Sequence, residues 1–591
     1  MPDKSLKWII FLIPLLLVLI FTKKDVGSPN DAARMATIQA MVEQHTMALD
    51  HAILKSDVDI MMRNGHRYSD KPPLLQGMGA LVYWPFYQVG IDISNHYGFI
   101  YYLLTFLLSG IPFVFLCGLS YAILDKVTHN KVIAWAGWGI MLTGTIILPY
   151  AMTFNNHLMA ALMILVAVGM YLFLDKQILK KSLWVAGIGT FASLGMYLEL
   201  PTGGLTFLGL GFLIGKKEPK YLLSYLGGAI LPSVAHFSLN YWQTGDLVPA
   251  YLHKEFYQFN GSYWGGALGK KRLFGNSVAG QFFHMTLGYR GIFLFSPILL
   301  GGLWEMIQRS VKKEDIWRKP AVLGFILLFG TMASYAVQIS DLGGGSYGLR
   351  WVIPALPLLI LFTALWIGRV FTPKKGVAGV GLLMVPSIII AWIGVYNPWP
   401  QNAVTPIPFL ENLSYMTFQG NNLSNPLAEF IAEKTSLDKG LAYYEMGREA
   451  WKQGNLNTAI AYMQKSLSRN PGHTLTYYQL GLLYDITGNP EKAFPVYEKL
   501  ISLEPDNPGT YHNYAVALVH AKQYKRAEEM YKKALQLEPN RITSIIGLAG
   551  VLFLQERYPE AMAQIQIVLK TYPNSQSAQI LYNQINLFLN P

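Results

Sequence analysis

The residues able to do chemistry in this chain are few, and they sit at the edges of apolar runs. Asn30-Asp31-Ala32-Ala33-Arg34 opens an amphipathic stretch soon after the first such run. Further on, Tyr68-Ser69-Asp70-Lys71-Pro72-Pro73-Leu74-Leu75 sets an acid and a lysine beside two prolines that fix an extended or turning backbone. A carboxylate such as Asp31 can take a proton from a hydroxyl, and a compact cation such as Lys71 can hold a phosphate. Each also has a plainer reading. An acid at a helix N-terminus is favoured by the helix dipole, so Asp31 is equally readable as a capping residue. Asp70 and Lys71 are readable as solvated loop charges.

Four further places carry polar groups between apolar runs. Thr153-Phe154-Asn155-Asn156-His157 offers His157 as a polar contact or proton carrier, or simply as a histidine hydrogen-bonded at a helix start. Tyr197-Leu198-Glu199-Leu200-Pro201 places an acid between two apolar segments, and acids at membrane depth are functional hypotheses by default. His284-Met285-Thr286-Leu287-Gly288-Tyr289-Arg290-Gly291 carries Arg290, either a phosphate contact or an interfacial anchor. Gly343-Gly344-Gly345-Ser346-Tyr347-Gly348-Leu349-Arg350-Trp351 combines glycines that permit close backbone approach with Tyr347 and an arginine suited to phosphate. The strand–helix context of a phosphate-binding loop is missing there.

These residues must be positioned by membrane helices. Only 14% of the 591 residues are charged, where a soluble chain carries about 25%. Eleven apolar segments are long enough to cross, near 7–22, 98–122, 132–150, 156–174, 183–198, 202–215, 221–240, 291–307, 320–339, 350–368 and 376–395. With a cytoplasmic N-terminus, every short inside loop is basic: Lys126 and Lys131; Lys176, Lys180 and Lys181; Lys216, Lys217 and Lys220; Arg309 to Lys319; Arg369, Lys374 and Lys375. Lys270-Lys271-Arg272 falls in a long outside loop, where the rule is weak. The net charge of +12 is therefore assigned to orientation and not to nucleic acid. Lys4 and Lys7 precede Trp8 to Phe21 with no small-x-small cleavage site after it, so an uncleaved first span is expected. The single Cys117 excludes an intramolecular disulfide. The odd count puts the loops 23–97 and 241–290, and the C-terminal tail, outside the cytoplasm, as expected of a plasma-membrane protein.

The tail has a strict period. Pro471, Pro505, Pro539 and Pro573 are 34 residues apart, and Gly447, Gly481, Ala515 and Ala549 keep the same step, as do Ala459, Ala493, Ala527 and Ala561. Small residues let paired helices approach, and the prolines end each unit. This pattern resembles the tetratricopeptide repeat, over residues 440–575, with 576–589 as a capping helix. Such arrays are α-solenoids that bind proteins or peptides. Their plainer role is as a spacer or an assembly contact.

The body, residues 1–400, resembles the GT-C superfamily of membrane glycosyltransferases. The resemblance is carried by Asp31 just after the first span and by the Lys71-Pro72-Pro73-Leu74 element 40 residues later. The protein O-mannosyltransferase and aminoarabinose-transferase branch is the nearest in pattern. An all-α polytopic fold of about eleven spans is thus expected, followed by a linker over 401–439 and four repeats plus a cap over 440–591. The resemblance implies a sugar donor on a polyprenyl phosphate and transfer on the outer face. It implies Asp31 as base in a single inverting displacement, because a phosphate leaving group needs no acid. Lys71, Arg350 and Arg290 become donor-phosphate contacts, and Arg34, Tyr68, Asp70, His157, Glu199 and Tyr347 become substrate-contact candidates. The sequence departs from the branch in two places. Ala32 stands where an acid often follows the first aspartate, and Thr153 to His157 lacks a second acid, which argues against a two-carboxylate metal site and leaves a divalent metal as an open but disfavoured cofactor. The acceptor, a protein, lipid or glycan, is left open. Competing readings are a polysaccharide polymerase or ligase, a non-enzymatic scaffold built on the repeats, and a transporter.

Overall fold

The computed structural model describes residues 4–590, apart from 55–57, 177–179, 260–261, 263–276, 339–345, 372–373, 401–403 and 417–425. The glycine string Gly343-Gly344-Gly345 and the Lys270-Lys271-Arg272 cluster lie outside the described residues. The chain divides into two compact units, one of residues 1–401 with 407–412 and one of 402–406 with 413–591.

The first unit is helical, and its one sheet among the described residues is a two-stranded hairpin. Helix α1 (Lys4–Phe21) is followed by α2 (Pro29–Glu43), strands β1 (Ile60–Arg63) and β2 (His66–Ser69), and α3 (Leu74–Gln88). Five helical segments are long and apolar enough to cross a membrane: Ile93–Thr128, Pro219–Thr244, Arg318–Val337, Arg350–Val370 and Gly376–Tyr396. They coincide with five of the eleven expected spans. Trp8–Phe21 and His157–Leu172 are apolar but shorter.

The other expected spans are broken or diluted, so a count of about eleven is not reproduced. The segment at 132–150 is divided into Lys131–Thr143 and Ile147–Ala151, where Gly144 ends the first helix. That at 291–307 is divided into Ile292–Phe295 and Leu299–Ser310 around Ser296-Pro297, because proline lacks the amide a continuing helix needs. Lys181–Leu198 and Leu200–Lys217 are continuous, but glycine, serine and threonine lower their hydropathy. Glycine has a packing use here. A Cβ on Gly189 would stand 1.9 Å from the Tyr225 carbonyl oxygen, and one on Gly228 1.9 Å from that of Ala186. Small residues thus let Lys181–Leu198 and Leu222–Thr244 cross with backbones in contact, as membrane helices do. The core is a buried set including Phe113, Leu124, Ile140, Leu165, Phe295 and Phe362.

The second unit is a run of helix pairs: Lys439–Lys452 with Leu456–Arg469, Thr474–Ile486 with Pro490–Leu503, Pro508–His520 with Tyr524–Leu537, and Ile542–Leu554 with Tyr558–Thr571. Gln576–Leu589 closes the run. The small residues of the period are buried where the helices touch: Ala459, Ala493, Ala527 and Ala561 are wholly inaccessible. A Cβ on Gly481 would lie 2.5 Å from the Tyr497 ring. The segment 401–439 is more than a connection. Its helix Pro426–Thr435 is tied to the first repeat by Glu429–Lys465 and Glu433–Arg469 pairs at 2.5 and 2.7 Å.

Candidate functional site

Helix α2 begins at Pro29, whose fixed φ suits a first helical position, and Ser28 caps it. The Ser28 hydroxyl accepts from the Asp31 amide at 3.3 Å. It donates to Asp31 Oδ1 at 2.6 Å. Asp31 therefore sits in the first turn, and the cap is Ser28. Its carboxylate also accepts from Tyr101 at 2.9 Å and from the Gly27 amide at 3.4 Å. It is wholly buried. Burial pushes its pKa up to about 6, against the opposing pull of Ser28, Tyr101, Arg34 and the Gly27 amide. A carboxyl poised there is matched to base catalysis near neutrality.

One turn along, Arg34 is buried. It donates to Asn30, and to Asn156 Oδ1 at 2.8 Å. Asn156 passes the connection on, donating to Glu199 Oε2 at 2.7 Å and to the Leu198 carbonyl at 2.6 Å. Glu199 lies between two helices, with His157 Nδ1 at 2.9 Å from Oε2 and the Tyr335 hydroxyl donating to Oε1 at 2.8 Å. Tyr335 stacks on Trp351, with ring centroids 4.2 Å apart. Arg34 feels the charges of Asp31, Arg350, Asp59 and Glu199 together, while burial pulls its pKa down.

The hairpin brings in a residue not expected from sequence. Asn64 and Gly65 take positive φ of 50° and 83° at its tip, and the register pairs Ile60 with Ser69. This sets Asp59 beside Asp70 and Lys71. Lys71 Nζ lies 2.9 Å from Asp59 Oδ1 and 3.0 Å from Asp70 Oδ1, with all three largely buried. Lys71 is thus a paired cation, and the solvated-loop reading of it fails. Burial opposes Lys71's charge, but Asp59 and Asp70 more than offset this and raise its pKa. Burial likewise pushes up the Asp70 carboxyl, whereas Lys71, Arg350 and Arg34 overcome burial at Asp59 and hold its pKa down. The Asn64-Gly65 dipeptide was the available signal for this hairpin.

Arg350 opens the turn Arg350–Ala355. Its guanidinium lies 5.0 Å over the Trp399 ring. Its Nε is buried without a hydrogen-bond partner. Among the described residues neither Arg34 nor Arg350 has a carboxylate within 4.0 Å. Two arginines close enough to feel each other, without a direct counter-ion, make an anion-seeking pair.

Three candidates stand apart from this cluster or serve it from behind. Tyr68 packs with Met61 and Tyr257. Tyr347 is buried and donates to the Ile390 carbonyl, so it works as packing. Arg290 donates to Ser346 O and Oγ at 2.7 and 2.8 Å and so ties down the turn that delivers Arg350, where Gly348 takes φ of +71°. Sequence reading missed Asp59, Tyr101, Asn156 and Tyr335. It also missed two π-helical turns, Phe106–Gly110 and Ile326–Gly330. Ser109 in the first accepts from the Asn155 amide at 3.2 Å, and Thr331 just after the second meets Thr202 at 2.9 Å. Each backs one of the site's loops, and π-turns are frequent at such places. No group of three or more His, Cys, Asp or Glu side chains arranged for a metal occurs among the described residues.

Close along the chain to Glu199 is an apolar groove of about 720 Å³ lined by Tyr197, Phe207, Ile230, Val234, Phe237 and Tyr241. His236 stacks on Tyr197 beside it, with centroids 4.4 Å apart.

Family models of the tetratricopeptide repeat match residues 444–508, 486–532 and 518–585. The C-terminal unit is therefore a tetratricopeptide array, a kind of domain that serves protein interaction. These family matches all lie in the C-terminal unit, and no curated protein matches the chain. Among solved structures, similar ones are MamA from Desulfovibrio magneticus RS-1 (18% identity, 28% of this chain, 96% of that one, TM-score 0.25) and TTC0263, a thermophilic repeat protein of Thermus thermophilus (22%, 27%, 90%, 0.23). A third is YrrB, a repeat protein with an unusual peptide-binding site (16%, 30%, 90%, 0.26).

Proposed function

We propose that the body is a membrane glycosyltransferase of the GT-C kind, moving a sugar from a polyprenyl-phosphate donor to an acceptor hydroxyl by inverting transfer. The observation that carries this reading is the union of buried Asp31, with its pKa near 6, and two arginines lacking a direct counter-ion, in one cluster. Asp31 takes the proton of the acceptor as its oxygen attacks the anomeric carbon, and the sugar–phosphate bond breaks to release polyprenyl phosphate. Arg34 and Arg350 stabilise the charge that grows on the leaving phosphate, and Lys71 joins them. The Glu199–Asn156–Arg34 chain holds one of these arginines in place. The apolar groove is suited to a prenyl chain.

We read the chain as a plasma-membrane protein with a cytoplasmic N-terminus, about eleven crossings, and the site and array outside. Support comes from how the loops gather. Residues 31, 71, 156, 199 and 350, all assigned outside, share one cluster, whereas Lys217 pairs with Asp175, and Lys181 and Lys319 lie near that same acid. The array then recruits the acceptor or a partner protein to the enzyme.

Purified Asp31→Asn should insert and melt as the parent does, yet transfer sugar at least about 100-fold more slowly. Near-normal turnover would remove Asp31 as the base. Deleting residues 440–591 should spare donor cleavage and impair transfer to the true acceptor. Unchanged transfer would reduce the array to a spacer.

A further inference from the structure

Lys71 poses a question that the proposed reaction does not answer. Its ammonium is already held by two carboxylates, Asp59 at 2.9 Å and Asp70 at 3.0 Å, and all three side chains are at least four-fifths buried. Both acids touch one nitrogen, so their oxygens are within about 6 Å of each other, a spacing at which two buried carboxylates strongly resist joint ionisation. The shared lysine is what lets both stay charged.

Among the described residues, three other groups act on the pair. Arg34 from α2 and Arg350 from the turn Arg350–Ala355 both act on Asp59, and Arg34 acts on Asp70. The Tyr257 hydroxyl lies 3.4 Å from Asp70 Oδ2. Resting on the donor reading above, an incoming phosphate draws on the same three cations: Lys71, Arg34 and Arg350. It cannot take them without stripping the acids of their counter-charge.

We propose that Asp59 is a positioning residue that holds Lys71 until the donor arrives, and that the donor phosphate displaces it, so that the Asp59–Asp70 pair takes up one proton from water. Donor binding and protonation are then linked. The bound state holds one proton more than the free state, so affinity rises as pH falls. The sequestered lysine also keeps the empty site from capturing adventitious phosphate, because any anion must drive the same protonation.

The test is calorimetry of the full chain in detergent, titrated with the methyl diester of decaprenyl phosphate. This probe keeps the phosphodiester charge and brings no proton that titrates near neutrality. Measured in two buffers of different ionisation enthalpy at pH 7, about one proton should be taken up per diester bound, and affinity should strengthen by up to about tenfold per unit of falling pH. The uptake should persist in Asp31→Asn and vanish in Asp59→Asn. Asp70→Asn serves as the second variant if Asp59→Asn fails to fold. Binding by the wild-type chain without proton uptake overturns this inference and leaves the glycosyltransferase reading standing. Uptake unchanged in both Asp59→Asn and Asp70→Asn also overturns it. No binding of the diester at any pH from 5 to about 8 overturns both.

Discussion

The two units differ in how deeply they bury charge. In the array, each ion pair among the described residues keeps at least one partner more than a third exposed: Arg541 and Glu538 meet at 2.7 Å with 30% and 48% of their side chains exposed, and Lys452 and Glu449 at 3.7 Å with 66% and 25%. Such pairs contribute under about 1 kcal/mol each, and the array owes its form to buried alanines and tyrosines repeated every 34 residues. In the body, beside surface pairs such as Lys131–Asp125, some pairs are inside: Asp59, Asp70 and Lys71, or His157 and Glu199 at 7% exposure each. Buried charges are costly and their attraction rarely offsets their desolvation, so a cluster of them is poor for stability and informative about function. Here the apolar core serves to hold charges together.

That contrast can be broken by substitution. Arg350→Gln should weaken donor use most, raising KM for a lipid-linked sugar about 10- to 100-fold with little change in melting, because a charge-assisted contact to phosphate is lost. A melting change as large as the kinetic one would make Arg350 structural. In the array the reverse is expected. Gly481→Ala drives a Cβ to 2.5 Å from the Tyr497 ring and should destabilise the array by about 1–3 kcal/mol, seen in its thermal melting, while donor cleavage is untouched. A loss of cleavage would mean that the array takes part in the chemistry. The smallest and sharpest effect is on pH. The base must be ionised to act, and burial raises its pKa to about 6. Cleavage measured at saturating donor, where donor affinity no longer enters, should therefore be flat above that pH and fall about tenfold for each unit below it. A profile that keeps falling towards high pH would contradict the assignment.

The same contrast explains what could be read in advance. The array was legible because a period repeats: Gly447, Gly481, Ala515 and Ala549 each mark one helix crossing, and the helix pairs follow at once. In the body, Asp31, Arg34, Lys71, His157, Glu199 and Arg350 stood out as charges beside apolar runs, and the fold gathers them. Asp59 did not stand out, because its meeting with Lys71 depends on a hairpin and on strand register. Asn156, a neutral residue just before a helix, and Tyr335, one inside a helix, gave no charge to notice, and only packing shows that both reach Glu199. Tyr68 and Tyr347 looked equal to their charged neighbours but pack their rings among apolar residues, Tyr347 with its hydroxyl donating to the Ile390 carbonyl. The count of spans is matched only in part for a related reason. Apolar composition marks a segment as buried, but it does not distinguish a crossing helix from a broken one such as Ile292–Phe295 and Leu299–Ser310.

The most direct measurement is donor cleavage by the purified full-length chain. It is incubated with radiolabelled polyprenyl-phosphate sugars, several hexoses and pentoses in turn, and the release of polyprenyl phosphate is followed beside the Asp31→Asn variant. A glycosyltransferase should release polyprenyl phosphate with at least one donor and lose that release in Asp31→Asn. No release with any donor, together with specific capture of a protein by residues 440–591, would contradict it and make the chain a membrane scaffold.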